Sequence, residues 1–264
     1  MTEPTPQQIE EHQKMPILAH VMELKNRVMV SLFFYLLTAT ICFFFADQIL
    51  DFLLGPLRRA GLPHDFHLIF TSLPEVFLAH ITLALAAGFI IAFPIIASQV
   101  WIFIAPGLYR HERHALLPYF IGAPLLFLCG ASLCYLAAMP LAWKFFLSYQ
   151  SSAVGEIPIV AQTRVADYVG LSLHFIIIFG LIFQMPLVFM LLGRLGVVTA
   201  EFLSKNRRYA VLLALIIAAF VTPTPDIFGQ LLIAGPLYLL YEISILLIRW
   251  QGKNARPEIH PTES

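Results

Sequence analysis

The chain has 264 residues, of which 59% are hydrophobic and 12% charged, with 16 basic and 16 acidic side chains that cancel to a formal net charge of zero. Soluble domains carry about a quarter charged residues, so this deficit, together with several long apolar runs, excludes a large soluble core and points to a polytopic membrane protein. The apolar runs are continuous rather than alternating, which selects helices over a membrane barrel.

Residues 1–14 read as a polar tail containing Glu3, Glu10 and Glu11. This is not the basic start of a signal peptide, and the first apolar run reads as a permanent span. Between tail and span, Ile17, Val21, Leu24 and Val28 follow helical spacing on one face, and His20, Glu23 and Arg27 fall on another. The segment reads either as an interfacial anchor with a Glu23–Arg27 pair or as a surface that offers Glu23 as a recognition carboxylate.

Six spans are predicted, near 28–46, 76–99, 115–139, 168–193, 209–222 and 228–248. Between the second and third lies Gly107-Leu108-Tyr109-Arg110-His111-Glu112-Arg113-His114, with five consecutive ionisable residues. It reads as a solvated basic loop, or as a second carboxylate, Glu112, held ionised by positive neighbours and able to meet a cationic guest. Trp101, Phe103 and Tyr109 look like an interfacial aromatic belt. Cys42, Cys129 and Cys134 all fall in apolar runs without metal-ligand or disulfide spacing, and read as small apolar filler.

The stretch from Tyr209 to Thr222 is about 14 residues, or roughly 21 Å of helix, against a hydrocarbon core of about 30 Å. Thr222-Pro223-Thr224-Pro225-Asp226 then turns the chain, so the fifth and sixth spans are expected to be short and shallow. Gln184 and Glu242 lie inside apolar runs; each marks a functional or a packing site that faces protein or water. His80 and His174 read as satisfied packing histidines, with a proton path as the other reading. With alternating spans, twelve of the sixteen Lys and Arg fall on one side, and only Arg58, Arg59, Lys144 and Arg164 on the other. The positive-inside rule then places both termini in the cytoplasm.

No phosphate-binding loop, H-E-x-x-H or G-x-S-x-G motif occurs, so no enzyme, cofactor, metal or nucleic-acid partner is expected. A proton-coupled small-solute transporter is the alternative, although neither inverted repeats nor paired broken helices are evident. An intramembrane enzyme is a further rival without a visible nucleophile–base pair.

Four stretches carry a family resemblance: H-V-M-E-L-K-N-R at His20 to Arg27, Q-V-W-I-F-I-A-P-G-L-Y-R-H-E-R at Gln99 to Arg113, F-G-L-I-F-Q-M-P at Phe179 to Pro186, and T-P-T-P-D-I-F-G-Q at Thr222 to Gln230. Over roughly residues 15–250, the six-span membrane domain, the chain resembles the TatC family of the twin-arginine protein translocase. Residues 251–264 form a cytoplasmic tail outside it. The resemblance implies an all-α integral membrane protein in a bacterial cytoplasmic membrane, its six helices forming a concave bundle. It also implies a receptor for the twin-arginine signal peptides of folded cargo, powered by the proton motive force. Glu23 and Glu112 map onto the family's recognition glutamates, with Arg27, Phe103, Tyr109 and His111 in support. Carboxylates on two neighbouring segments suit two guanidinium groups. The implied partners are the single-span subunits TatA and TatB, met through Thr222, Asp226 and Gln230, within an oligomeric complex. The chain departs from the family pattern at Gln184, where many members carry glutamate, at Lys25, where arginine is frequent, and in a turn longer than the common T-P-P-D.

Overall fold

In a computed structural model, residues 6–61, 66–104, 117–149, 151–154, 157–159, 162–222 and 227–254 are described. Helices carry the fold, as the continuous apolar runs require. In chain order they are α1 (Pro6–Phe44), α2 (Ala46–Leu53), α3 (Gly55–Arg59), α4 (Glu75–Ile104), α5 (Leu117–Leu133), α6 (Met139–Leu147), α7 (Val165–Ile182), α8 (Met185–Arg194), α9 (Ala200–Lys205), α10 (Arg207–Val221) and α11 (Ile227–Asn254). Five stretches are long and apolar enough to cross a bilayer: His20–Phe44, Glu75–Phe103, Tyr119–Leu147, Val165–Arg194 and Ile227–Gln251. α10 lies where the sequence places the short fifth span. Its 15 residues rise only about 22 Å.

The sixth span is not short. α11 has 28 residues, about 42 Å of helix, and it runs past Ile248 through Arg249, Trp250 and Gln251. Hydropathy marks where side chains leave lipid, whereas backbone hydrogen bonds carry the helix on into the polar region. The same reason lets α1 begin at Pro6, inside the stretch expected to be tail. Prolines shape the spans in two ways. Pro94, Pro124 and Pro236 lie inside helices. Pro140 and Pro186 sit instead in the first turn of α6 and α8, where a missing N–H costs nothing. A π-helical turn, Cys134–Ala138, precedes α6, and the chain breaks at Phe183–Gln184 before α8. One short element was not foreseen: strands β1 (Ser151–Val154) and β2 (Ile157–Ile159) pair antiparallel in the connection before α7.

The chain divides into two packed units. The first, Met1–Ala46 with Leu83–Pro124, joins α1 to most of α4 and the start of α5. Small residues set its spacing: a Cβ added at Gly88 would lie 2.5 Å from the Ala39 Cα, and Thr38 Oγ1 donates to the Gly88 carbonyl at 2.9 Å. Such close approach is how apolar helices gain packing in lipid. At the end of α4, Trp101 lies tilted against Tyr119, ring centroids 4.7 Å apart, and both are buried.

The second unit, Asp47–Thr82 with Leu125–Ser264, holds the remaining helices. Phe127 and Phe179 are buried beside Gly130 and Gly180, where an added Cβ would clash with the Phe179 carbonyl and the Phe127 ring. Leu203, Tyr241, Ile245 and Ile248 form a core between α9 and α11, with Met185 and Phe189 of α8 against it. Tyr168 donates to the Leu53 carbonyl and Tyr135 to that of Phe52, which fixes α2 against the spans.

Candidate functional site

Glu23 and Arg27 are four residues apart on α1, so they share one helix face with the acid nearer the N-terminus, the better order for an ion pair. Arg27 Nη2 donates to Glu23 Oε1 at 3.4 Å, and the two side chains are 33% and 34% exposed. Arg27 Nη1 also donates to Gln99 Oε1 of α4, at 3.3 Å. One turn beyond Gln99, Phe103 stacks on the His20 ring, centroids 4.4 Å apart and 18° from parallel. Met22, Glu23, Asn26, Arg27 and Val30 line an open depression of about 540 Å³. The structure thus gathers Glu23, Arg27 and Phe103 from two helices of one unit. It adds Gln99 and Asn26, which spacing on α1 alone does not single out, and brings His20 of the same α1 face against Phe103. The signal for Gln99 was its four-residue offset from Phe103 at the end of an apolar run. Tyr109, His111 and Glu112 lie outside the described residues, as does Asp226.

A carboxylate has room for about four hydrogen bonds, and one long contact leaves Glu23 with acceptor capacity. The depression beside it is flanked by Met22 and Val30, which offer an apolar rim. The arrangement suits a guest that presents guanidinium groups next to apolar side chains.

The other polar residues within spans are tied internally. Glu242 accepts Arg207 Nε at 2.7 Å and Nη2 at 2.9 Å, and the Tyr238 hydroxyl at 2.9 Å. This two-point fork matches the Glu242 charge with a guanidinium at the start of α10. Gln184 occupies the break between α7 and α8, its amide reaching the Gly180 carbonyl at 3.4 Å. Thr222 is buried and donates to Ala218 O at 2.9 Å. Gln230 donates to Leu215 O at 2.9 Å, which ties α11 to α10. His80 bridges Val76 O and Asp47 Oδ1 at 2.7 and 2.9 Å, and His174 meets Val221 O at 2.7 Å. Both histidines are hydrogen-bonded to acceptors within the chain, His80 partly buried and His174 exposed.

Sequence reasoning missed a clasp at the other end of α4. The buried Glu75 carboxylate accepts Thr71 N at 2.8 Å, Thr71 Oγ1 at 3.1 Å and Arg164 Nη2 at 3.0 Å. Beside it Ile69 and Arg164 form a parallel bridge, with Ile69 N donating to Thr163 O and Val165 N to Ile69 O. The hydrogen bond to Glu75 pushes the Arg164 pKa up. Two residues 89 positions apart carry no spacing signal that would pair them.

Comparison with known proteins agrees with the four motifs. The family described as Sec-independent protein translocase protein (TatC) matches residues 19–236. A Sec-independent protein translocase protein TatC of Magnetococcus marinus is 40% identical over 237 residues, covering 90% of this chain and 85% of the relative. One of Rickettsia prowazekii is 40% identical over 228 residues, covering 86% and 90%. A crystal structure of the twin arginine translocase receptor TatC superposes with a TM-score of 0.76 at 37% identity, covering 88% of this chain and 99% of the other. By these matches over most of its length, the chain belongs to the TatC family of Sec-independent protein translocase proteins.

Proposed function

We propose that this chain is the twin-arginine signal-peptide receptor and membrane core of a translocase that exports folded proteins. Family membership supplies the role, and the Glu23 site is the observation that carries it to particular atoms: an accessible, incompletely engaged carboxylate on a helix face beside an open depression. Glu23 takes one guanidinium of the signal peptide, and Glu112 of the following cytoplasmic loop takes the other. Phe103, Tyr109 and His111 flank the peptide. A guanidinium binds a carboxylate through a planar fork, whereas an ammonium is a hydrated point charge. That difference favours paired arginines over paired lysines.

Within this reading the chain is a binding and organising subunit rather than an enzyme, and the proton motive force drives transport. TatA and TatB are its single-span partners, and the α10–α11 hairpin with Thr222, Asp226 and Gln230 is their docking region. The distribution of basic residues supports a cytoplasmic location for both termini in the bacterial inner membrane. The test is binding of a twin-arginine signal peptide to the purified chain, set against a twin-lysine peptide. The arginine peptide is expected to bind more tightly, and Glu23→Ala or Glu112→Ala to weaken it by more than about 1 kcal/mol, the scale of a lost charge-assisted bond. Equal binding of both peptides by folded wild-type and variant chains removes the receptor role. Solute uptake by liposomes holding this chain alone then becomes the measurement for the transporter alternative.

A further inference from the structure

Two Arg–carboxylate pairs in this chain have different geometry. Arg207 grips Glu242 through two nitrogens and both oxygens, at 2.7 and 2.9 Å. Those are the distances of a strong charge-assisted fork. Arg27 meets Glu23 through one nitrogen and one oxygen at 3.4 Å. Its other terminal nitrogen is turned to Gln99 on α4, at 3.3 Å. The Arg27 guanidinium is therefore shared between two acceptors on two helices, and neither contact is short.

We infer that Arg27 is a built-in competitor for the Glu23 carboxylate, and that Gln99 is the positioning residue that receives Arg27 when a guest guanidinium takes its place. This rests on the receptor reading above and assigns Arg27 a part opposite to direct support of the guest. Three observations carry it. Arg27 lines the same depression as Glu23, so a cation entering there meets Arg27 before it can engage the acid alone. A second cation brought to Glu23 is repelled by Arg27 one helical turn away, unless Arg27 withdraws. Withdrawal toward Gln99 keeps Arg27 hydrogen-bonded, because guanidinium has five N–H donors and the Gln99 carbonyl is already within reach.

Binding at Glu23 is then an exchange of one guanidinium for another. The displacement cost falls on every guest alike, so it lowers all affinities by a common factor without changing their ratio. That factor leaves a weakly held ammonium guest below the working threshold while a bidentate guanidinium stays above it. Gln99 sets the size of the cost, since an uncharged acceptor draws Arg27 away without locking it there.

The experiment measures binding of labelled twin-arginine and twin-lysine peptides to the full-length purified chain. The variants are Arg27→Gln, Gln99→Leu and the double variant, with folding followed by thermal melting. Arg27→Gln is expected to tighten both peptides by about twofold, the factor an exposed i,i+4 ion pair represents, with their ratio unchanged. The gain shrinks as salt rises, because an exposed ion pair is itself screened. Gln99→Leu weakens both peptides, because Arg27 loses its alternative acceptor, and the double variant binds like Arg27→Gln alone. Gln99→Asn, which withdraws the acceptor by one methylene, shifts affinity in the same direction as Gln99→Leu and serves where the leucine variant does not fold. Weaker or unchanged binding by Arg27→Gln overturns the competitor role. A Gln99 effect that persists in the Arg27→Gln background overturns the positioning role. A wild-type chain that binds neither peptide removes the receptor reading and this inference together, which separates that failure from the others.

Discussion

At the scale of single residues, three carboxylates show how environment assigns work to one kind of group. Glu75 is buried and answered by Thr71 and Arg164. Glu242 lies in an apolar run and is answered by a guanidinium fork. Glu23 is one-third exposed and only loosely engaged. The buried charge of Glu75 is tolerated because it is paired and hydrogen-bonded; Glu242 is about as exposed as Glu23 but has both oxygens engaged, so Glu23 is the one of the three with capacity to spare. Glu242→Ala is expected to lower the thermal midpoint of the detergent-solubilised chain by a few degrees while signal-peptide affinity stays unchanged. Arg207→Ala lowers it similarly, and the double variant falls short of the sum because both changes remove one interaction. Additive losses in the melting curves count against a coupled pair.

At the scale of elements, glycine placement decides how near two helices come. Gly88 faces backbone atoms of Ala39, which cannot swing aside, and Gly180 faces the buried ring of Phe127. Gly170 of α7 faces open space. The same substitution therefore has two outcomes. Gly88→Ala and Gly180→Ala are expected to destabilise by about 1–3 kcal/mol through overpacking. Gly170→Ala is neutral, or stabilising by up to about 1 kcal/mol from helix propensity. Melting the three variants side by side checks this; equal effects at Gly88 and Gly170 would mean that α1 and α4 are not in contact there. The close approach at Gly88 belongs to the same helix pair, α1 and α4, that supplies Glu23, Arg27, Gln99 and Phe103.

At the scale of the whole molecule, the distribution of basic side chains supports the proposed orientation of the spans, and the Glu75–Arg164 clasp ties the connection around Ile69 to the start of α7. In a background lacking Cys42, Cys129 and Cys134, Ser72→Cys is expected to react with a membrane-impermeant thiol reagent on intact cells. Lys205→Cys reacts only after the membrane is opened. Labelling of Lys205→Cys from outside would reverse the assigned topology. For the clasp, Glu75→Arg or Arg164→Glu is expected to make the connections around Ile69 and Thr163 more protease-sensitive, and the charge swap to restore much of the resistance. A swap as sensitive as either single variant counts against the pair.

Apolar continuity, proline spacing and the four motifs were enough to read the membrane class, the helical character of the fold, the shortness of α10 and the family, because each depends on local composition or on residues close in sequence. The α1 face that carries Glu23 and Arg27 was legible for the same reason, through its i,i+4 spacing. Tertiary structure decided the rest. It placed Gln99 against Arg27 across 72 positions, turned Glu242 from an open intramembrane carboxylate into half of a fork with Arg207, and joined Glu75 to Arg164. It also carried α1 and α11 beyond their apolar windows. Hydrophobicity reports which stretches leave water, and side-chain periodicity reports which residues share a face. The partner that a long side chain meets on another helix is set by packing between distant segments, and no spacing in the chain records it.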